Sequence, residues 1–109
     1  MANNTFEKSK KYTLKESVSN AEGSVVSKII QKNEAGNITL FAFAEGQNLS
    51  EHTAPFDALV QIIEGSAKII IDGKSHLLTE GEMIIMPAGI PHAVEAETAF
   101  KMLLTMLKK

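Results

Sequence analysis

His52 and His92 are the two residues whose type and placement suggest chemistry in this sequence. An imidazole can ligate a metal, bind a carboxylate, or accept and release a proton near neutral pH. His52 lies in a stretch bounded by Gly46 and Gly65, and His92 follows a turn rich in glycine and proline. Whether the two histidines share a site depends on the segments that carry them.

The turn before His92 is built to be stiff. Gly89 suits a turn that needs a positive φ angle. Pro87 and Pro91 restrict the backbone, and the proline that follows Ile90 biases that residue towards an extended conformation. A side chain on a rigid corner is well placed as a ligand or an acid–base group. Taken alone, a histidine here is more often structural, so a functional role requires a second group.

Short strands must position these residues. Apolar runs such as ITLFAFA, ALVQII and KIII are separated by Gly, Asp-Gly or Pro signals every roughly 8 to 12 residues. Asp72-Gly73 is the strongest hairpin signal, and no long segment shows helical periodicity. The pattern predicts an all-β sandwich or barrel formed by residues 23–109, preceded by a polar tail or extra strand over residues 1–22.

Composition excludes several classes of function. A chain of 109 residues suits one domain, and the net charge of -2, with lysines grouped only towards the two ends, argues against a nucleic-acid partner. The absence of cysteine rules out disulfide and thiol chemistry. No secretory signal and no apolar run of membrane-spanning length are present, so we expect a cytoplasmic protein without a membrane partner.

Several strands are apolar on both faces, namely KIII, MIIM and MLLTML. A small sandwich with one face in water should alternate instead. Something must then cover the second face, and a second copy of the chain would do so, which predicts a homodimer. Alternatively, these strands are central in the sheet and flanked by loops.

Together, the two histidine segments resemble the signature motifs of the cupin superfamily. The first family motif is G-x5-H-x-H-x3-E-x6-G, and the second is G-x5-P-x-G-x2-H-x3-N. The resemblance covers residues 46–96, and the second motif fits at every position but the last. It implies an all-β jelly-roll barrel, the double-stranded β-helix of small single-domain cupins, and it favours a site shared by the two histidines.

In that family, the two histidines and the glutamate of the first motif join the histidine of the second motif on one metal. Carried over residue by residue, His52 and His92 are present. The second histidine falls on Ala54, the glutamate on Ala58 and the final asparagine on Ala96. The resemblance therefore implies an incomplete set of two metal ligands, which would hold a divalent transition metal weakly or not at all.

Neighbouring polar residues do not replace the missing carboxylate in an obvious way. Asp57 and Glu51 each adjoin a motif position, but neighbouring residues on a strand point to opposite faces. Asp57 could help only if the strand begins after it or carries a bulge. Gln61, three positions past Ala58, should also face away from it. We therefore expect Asp57 and Glu51 to be solvated charges.

The alanines leave space beside the histidines. Ala54 and Ala58 would form an apolar wall, which favours a pocket for a small organic molecule with few polar anchors. Phe56 is placed either at the pocket mouth or in ordinary packing, and Met86 either lines the pocket or fills the core. His76 is predicted to be a surface or sheet residue that does not pair with the other two histidines.

Two classes of function follow. The first is a binding module that holds a small molecule and has no stoichiometric metal. The second is a metal-dependent enzyme, similar to a dioxygenase, isomerase or decarboxylase, that uses His52 and His92 together with a third polar group within reach of both. A barrel kept only for assembly with a partner protein is a third option that the sequence neither supports nor excludes.

Overall fold

Nine β-strands account for nearly all regular structure in the computed structural model, which describes residues 6–108. The strands are β1 (Val25–Asn33), β2 (Gly36–Phe43), β3 (Asn48–His52), β4 (Asp57–Glu64), β5 (Ser66–Ile71), β6 (Lys74–Thr79), β7 (Met83–Met86), β8 (His92–Glu95) and β9 (Phe100–Leu107). A three-residue 3-10 turn at Leu14–Glu16 precedes them. No helix within residues 6–108 is long and apolar enough to cross a membrane. The all-β prediction is confirmed.

The strands form two antiparallel sheets. The first sheet has the order β1-β2-β9-β4-β7, and the second has the order β3-β8-β5-β6. Two pairs of consecutive strands are neighbours in one sheet, namely β1 with β2 and β5 with β6. At every other connection between the nine strands, the chain crosses to the other sheet. This repeated crossing between two sheets is the jelly-roll arrangement. It brings β3 and β8, which carry the two histidines, side by side.

The main core lies between the two sheets. Along β4, Ala58, Val60 and Ile62 are buried, whereas Gln61 between them is exposed, as the two-residue period of a strand requires. Phe43 and Phe100 lie fully buried at the end of this core. Their rings stack with centroids 4.6 Å apart and planes 14° from parallel.

The predicted Asp-Gly hairpin connects β5 to β6. Asp72 and Gly73 both have positive φ angles, 51° and 79°, as a two-residue hairpin turn of type I′ requires. Aspartate tolerates this left-handed region better than most residues, and glycine adopts it without steric cost. The turn sets the register of the hairpin, with Ile71 opposite Lys74.

The segment before β1 packs on the outer face of the first sheet. We call residues 13–20 the strap. Val18 of the strap is only 1% exposed and forms a second apolar cluster with Leu40 and Ala42 of β2. The strap therefore covers part of the outer apolar face of the first sheet. This part of the face needs no second copy of the chain to exclude water.

Polar contacts hold the strap in place. The Asn20 side-chain amide donates a hydrogen bond to the backbone carbonyl of Phe43 at 2.9 Å. The Lys15 ammonium lies 2.9 Å from the Glu80 carboxylate, and the Lys101 ammonium donates to the Lys15 carbonyl. An exposed ion pair such as Lys15–Glu80 adds little stability. We conclude that these contacts mainly position the strap, while Val18 supplies the apolar burial.

The other half of the same outer face has no cover within the described residues. Direct cross-strand partners form an uncharged row there, consisting of Ile38, Thr105, Leu59 and Ile85. Ile85 is 53% exposed, and Met83 on the same strand and Leu107 at the end of β9 are exposed as well. The first sheet thus has one half covered by the strap and one half open.

Candidate functional site

The structure brings His52 and His92 together. His52 ends β3, His92 begins β8, and the two are direct cross-strand partners. Their ring centroids are 4.4 Å apart with the planes at 73°, and their Nε2 atoms are separated by 3.2 Å. His92 is 3% exposed, whereas His52 is exposed to solvent. The two sequence motifs therefore deliver their imidazoles to a single site, which we call the histidine pair.

A bulge in β3 makes this pairing possible. Leu49 lies opposite Val94, and His52 lies opposite His92, so three positions on β3 span two positions on β8. A regular strand would point Leu49 and His52 to opposite faces, because side chains alternate. The extra residue in the bulged strand turns His52 to the same face as Leu49. The residue types of β3 do not predict this bulge.

Backbone carbonyls determine which ring nitrogen of each histidine is available. The His52 Nδ1 atom lies 2.8 Å from the Ser50 carbonyl oxygen, and the His92 Nδ1 atom lies 3.2 Å from the Ile90 carbonyl oxygen. A carbonyl oxygen only accepts hydrogen bonds, so these contacts assign an N–H group to each Nδ1. The Nε2 atoms, which face each other, are left as the points where chemistry or binding can occur.

Burial and mutual repulsion limit the charge that the histidine pair can carry. Burial lowers the pKa of His92, a positive charge on His52 lowers it further, and the hydrogen bond to the Ile90 carbonyl partly offsets both effects. These effects disfavour the state in which both rings are protonated. Burial and the His52 charge thus both favour the neutral form of the His92 ring.

The loop before β4 and the first residue of β4 fasten the turn that carries His92. The Asp57 carboxylate accepts a hydrogen bond from the Ala88 backbone N–H at 2.8 Å. The Gly89 backbone N–H donates to the Ala54 carbonyl, also at 2.8 Å. These bonds tie the turn to the segment that follows His52, so the two motifs support each other. Asp57 is exposed as expected, but it is bound to the turn instead of being merely solvated.

The two positions that correspond to the missing metal ligands carry no side-chain donor atoms. Ala58 is 1% exposed and lies opposite Met86 in the core, and Ala54 is half-buried. Ala96, at the position of the final motif asparagine, is buried. Residues 6–108 contain no group of three or more His, Asp or Glu side chains placed to hold a metal ion. The 3.2 Å between the Nε2 atoms would suit two ligands of one ion, but stable first-row sites have at least three. The residues present do not fit a resident metal.

The other residues considered in the sequence differ in burial and in the strand or loop that carries them. Met86 is buried in the core beside Ala58, and Phe56 is half-buried in the loop between β3 and β4. Glu51 is exposed at the bulge, and Gln61 points to the outer face of the first sheet opposite Met83.

His76 lies on the edge strand β6, opposite Ile69 and two strands away from His92. It is separate from the histidine pair, as its position in the sequence suggested.

A groove of about 410 Å³ lies elsewhere, between the strap and the outer face of the first sheet. Its charged groups, Lys15 and Glu80, are already bound to each other. The groove therefore has no unpaired charged group and no histidine. For this reason we take the histidine pair, and not the groove, as the candidate functional site.

Comparisons with known proteins agree with this architecture. The family model for the cupin domain matches residues 39–107. A crystal structure of a conserved protein of unknown function from Streptococcus pyogenes is 38% identical, covers 98% of this chain and 93% of its own, and has a TM-score of 0.91. A cupin superfamily protein from Desulfitobacterium hafniense is 28% identical over 96% of both chains, with a TM-score of 0.89.

A cupin 2 conserved barrel domain protein from Leptotrichia buccalis is 43% identical, with a TM-score of 0.87. The match covers 89% of this chain and 47% of that longer protein. A search of curated proteins found no match. The family model covers most of the chain, and the jelly-roll sheets and the histidine of each motif stand where the resemblance places them. This chain belongs to the cupin domain family.

Proposed function

We propose that this barrel binds a small organic molecule at the histidine pair and that it does so without a resident metal. The observation that carries the proposal is the convergence of the two Nε2 atoms at 3.2 Å, while alanine stands at the motif positions Ala54 and Ala58. A few placed polar groups in a mainly apolar cavity are typical of small-molecule sites. The hydrogen bonds that the turn donates to the Asp57 carboxylate and to the Ala54 carbonyl keep the second histidine in position before any ligand arrives.

An enzyme that uses both histidines is the second candidate. The specific observation in its favour is the short Nε2 separation, which would let one reacting group contact both rings, or let one metal ion bind both. A metal-dependent dioxygenase-, isomerase- or decarboxylase-like reaction would need a further donor that the described residues do not supply. The two candidates therefore differ in metal content.

Elemental analysis and native mass spectrometry of protein purified without a histidine tag separate the candidates. We expect far less than one metal ion per chain in the wild type, in His52→Ala and in His92→Ala. We also expect an organic molecule that co-purifies with the wild type and is lost from both variants. His76→Ala is the matched control and should keep that molecule. Equimolar metal that both pair substitutions remove would contradict the proposal and favour the enzyme.

We further propose that the open half of the first sheet's outer face binds a second copy of the chain. The row through Leu59 and Ile85 is uncharged, and a two-fold related copy would present the same row to it. At its other end, the same face is covered by the strap through Val18. Water is therefore excluded from one half by the chain itself and from the other half by the partner copy.

Replacing Ile85 with aspartate should convert the dimer into a monomer. Ile85 is half-exposed in the monomer, so the substitution leaves the monomer's own core intact while placing a charge in the proposed interface. Light scattering after gel filtration measures the mass directly. Leu77→Asp is the control, because Leu77 is 66% exposed on the second sheet and should leave the dimer intact. A monomeric wild type at all concentrations tested would refute the interface.

A further inference from the structure

A second cavity lies on the open side of the barrel, between the edge strands of the two sheets. Strand β6 ends the second sheet and β7 ends the first, and the two strands are not neighbours in either sheet. The space between them has a volume of about 280 Å³ and is lined by His76, Leu77, Leu78, Glu82, Met83 and Ile84. We call it the edge cavity. Its volume is close to the lower limit of roughly 300 Å³ for small-molecule sites, so it suits a small ligand.

Glu82 supplies a fixed carboxylate to the edge cavity. Its Oε1 atom accepts two hydrogen bonds from Thr79, one from the backbone N–H at 2.8 Å and one from the side-chain hydroxyl at 3.0 Å. The backbone bond, and after it the hydroxyl bond, lower the pKa of Glu82 and so favour the ionised carboxylate. Both bonds use Oε1, and within residues 6–108 the Oε2 atom has no hydrogen bond and no ion pair. One oxygen of a charged group is therefore available to a ligand.

His76 supplies an imidazole from the strand on the other side of the edge cavity. It is the direct cross-strand partner of Ile69, which is fully buried between the sheets, and direct partners point to the same face. The half-buried His76 side chain therefore points inwards and not to the outer surface of the second sheet. In the part of the chain that the structure describes, its ring makes no hydrogen bond and no ion pair. An imidazole with an acceptor nitrogen and an N–H donor is thus open to a ligand.

The rest of the lining determines the class of ligand. Leu78 is 5% exposed and Ile84 is partly buried, and both pack in the core between the two sheets, so they give the edge cavity an apolar wall. The six lining residues include one acidic residue and no lysine or arginine, and Lys74, two positions before His76, is not among them. A positive charge is therefore favoured in the cavity. A metal ion does not suit it, because no three His, Asp or Glu side chains among residues 6–108 are grouped to hold one.

We infer that the edge cavity binds a small organic ammonium ion, the protonated form of a primary amine. An ammonium group has three N–H donors, of which one would bind the Glu82 Oε2 atom and another the acceptor nitrogen of His76. The aliphatic part of the ligand would pack against Leu78 and Ile84. This site lies between β6 and β7, whereas the histidine pair lies on β3 and β8, so the inference does not depend on the proposed function.

Titration with butylammonium, followed through the NMR signals of the Thr79 amide and the His76 ring, tests this site. We expect both signals to shift with a dissociation constant on the order of 1 mM, as suits a ligand of few atoms. The ring signals of His52 and His92 should not move, which distinguishes this site from the histidine pair. The neutral probe 1-butanol has nearly the same shape and should bind at least about fivefold more weakly, because it lacks the charge. Equal binding of the two probes would overturn the inference.

Glu82→Gln removes the charge from the edge cavity and keeps an oxygen that can accept the bonds from Thr79. We expect this variant to bind butylammonium at least about fivefold more weakly than the wild type, and His76→Ala to bind it more weakly as well. The matched control is Glu97→Gln, which removes the same charge from an exposed residue between β8 and β9 and should bind like the wild type. The inference is wrong if both cavity variants bind as tightly as the wild type. It is also wrong if the wild type shows no shift at about 50 times the expected dissociation constant.

Discussion

Replacing Ala58 with glutamate is expected to turn the histidine pair into a metal site that holds about one zinc ion per chain. Ala58 stands where the cupin motif places its carboxylate ligand, and its side chain points into the barrel. Two imidazoles and one carboxylate satisfy the three-ligand minimum of zinc, with water in the fourth position. Isothermal calorimetry and elemental analysis after dialysis measure the gain over the wild type.

The stability of Ala58→Glu should depend on metal in a way that the wild type does not. Without metal, a glutamate at this buried position is an unpaired charge that costs several kcal/mol of unfolding free energy. Zinc at 100 times its dissociation constant would return about 2.7 kcal/mol. Thermal unfolding in EDTA and in zinc should therefore differ widely for the variant and little for the wild type.

Gln61→Glu is the matched control for this experiment. It adds the same carboxylate to the same strand, but Gln61 is exposed on the outer face of the sheet. This control should bind no more metal than the wild type. If Ala58→Glu folds and still binds no metal, Ala58 does not face the histidine pair, and the correspondence with the family motif fails at this position.

Replacing Phe100 with alanine is expected to lower the free energy of unfolding by about 3 to 5 kcal/mol, as truncation of a buried phenylalanine does. The Phe100 ring is fully buried and stacks on Phe43 at 4.6 Å, so its removal leaves a cavity and an unpaired aromatic face. A loss of this size is comparable to the total stability of many small domains. The variant would be mostly unfolded if the wild type is only marginally stable.

Urea unfolding followed by circular dichroism measures this loss. All variants should be compared at one chain concentration, because association makes the apparent stability concentration-dependent. Leu77→Ala is the control and should change the free energy by no more than about 0.5 kcal/mol, since Leu77 is largely exposed. A loss below about 1 kcal/mol for Phe100→Ala would contradict this prediction and would show that the core collapses around the missing ring.

Local patterns in the sequence were sufficient to predict the strands and the hairpin and to identify the two histidines as candidate site residues. The all-β class follows from apolar runs broken by turn residues, and the Asp72-Gly73 turn follows from the positive φ angles that only a few residue types adopt easily. The glycine and prolines of residues 87–91 identify a stiff turn, and that turn distinguishes His92 from an ordinary core histidine. These features depend on residues close together in the chain, and composition and spacing report them directly.

Contacts between distant residues decided the rest. The bond from Ala88 to Asp57 joins positions 31 apart, and Val18 reaches β2 from the strap, so no local pattern could identify either partner. The strap also shows why apolar faces alone could not establish a dimer, because the chain's own segment can cover them.

The amino-acid sequence by itself determined that this protein is a β-barrel with one histidine in each of two motifs and with alanine at the other ligand positions. Only the tertiary structure decided what the two histidines can do. The bulge in β3 turns His52 towards His92, and the carbonyls of Ser50 and Ile90 leave the Nε2 atoms facing each other at 3.2 Å. The physical reason is that protonation and ligand choice depend on distances of a few ångströms, which the folded backbone sets and residue spacing does not encode.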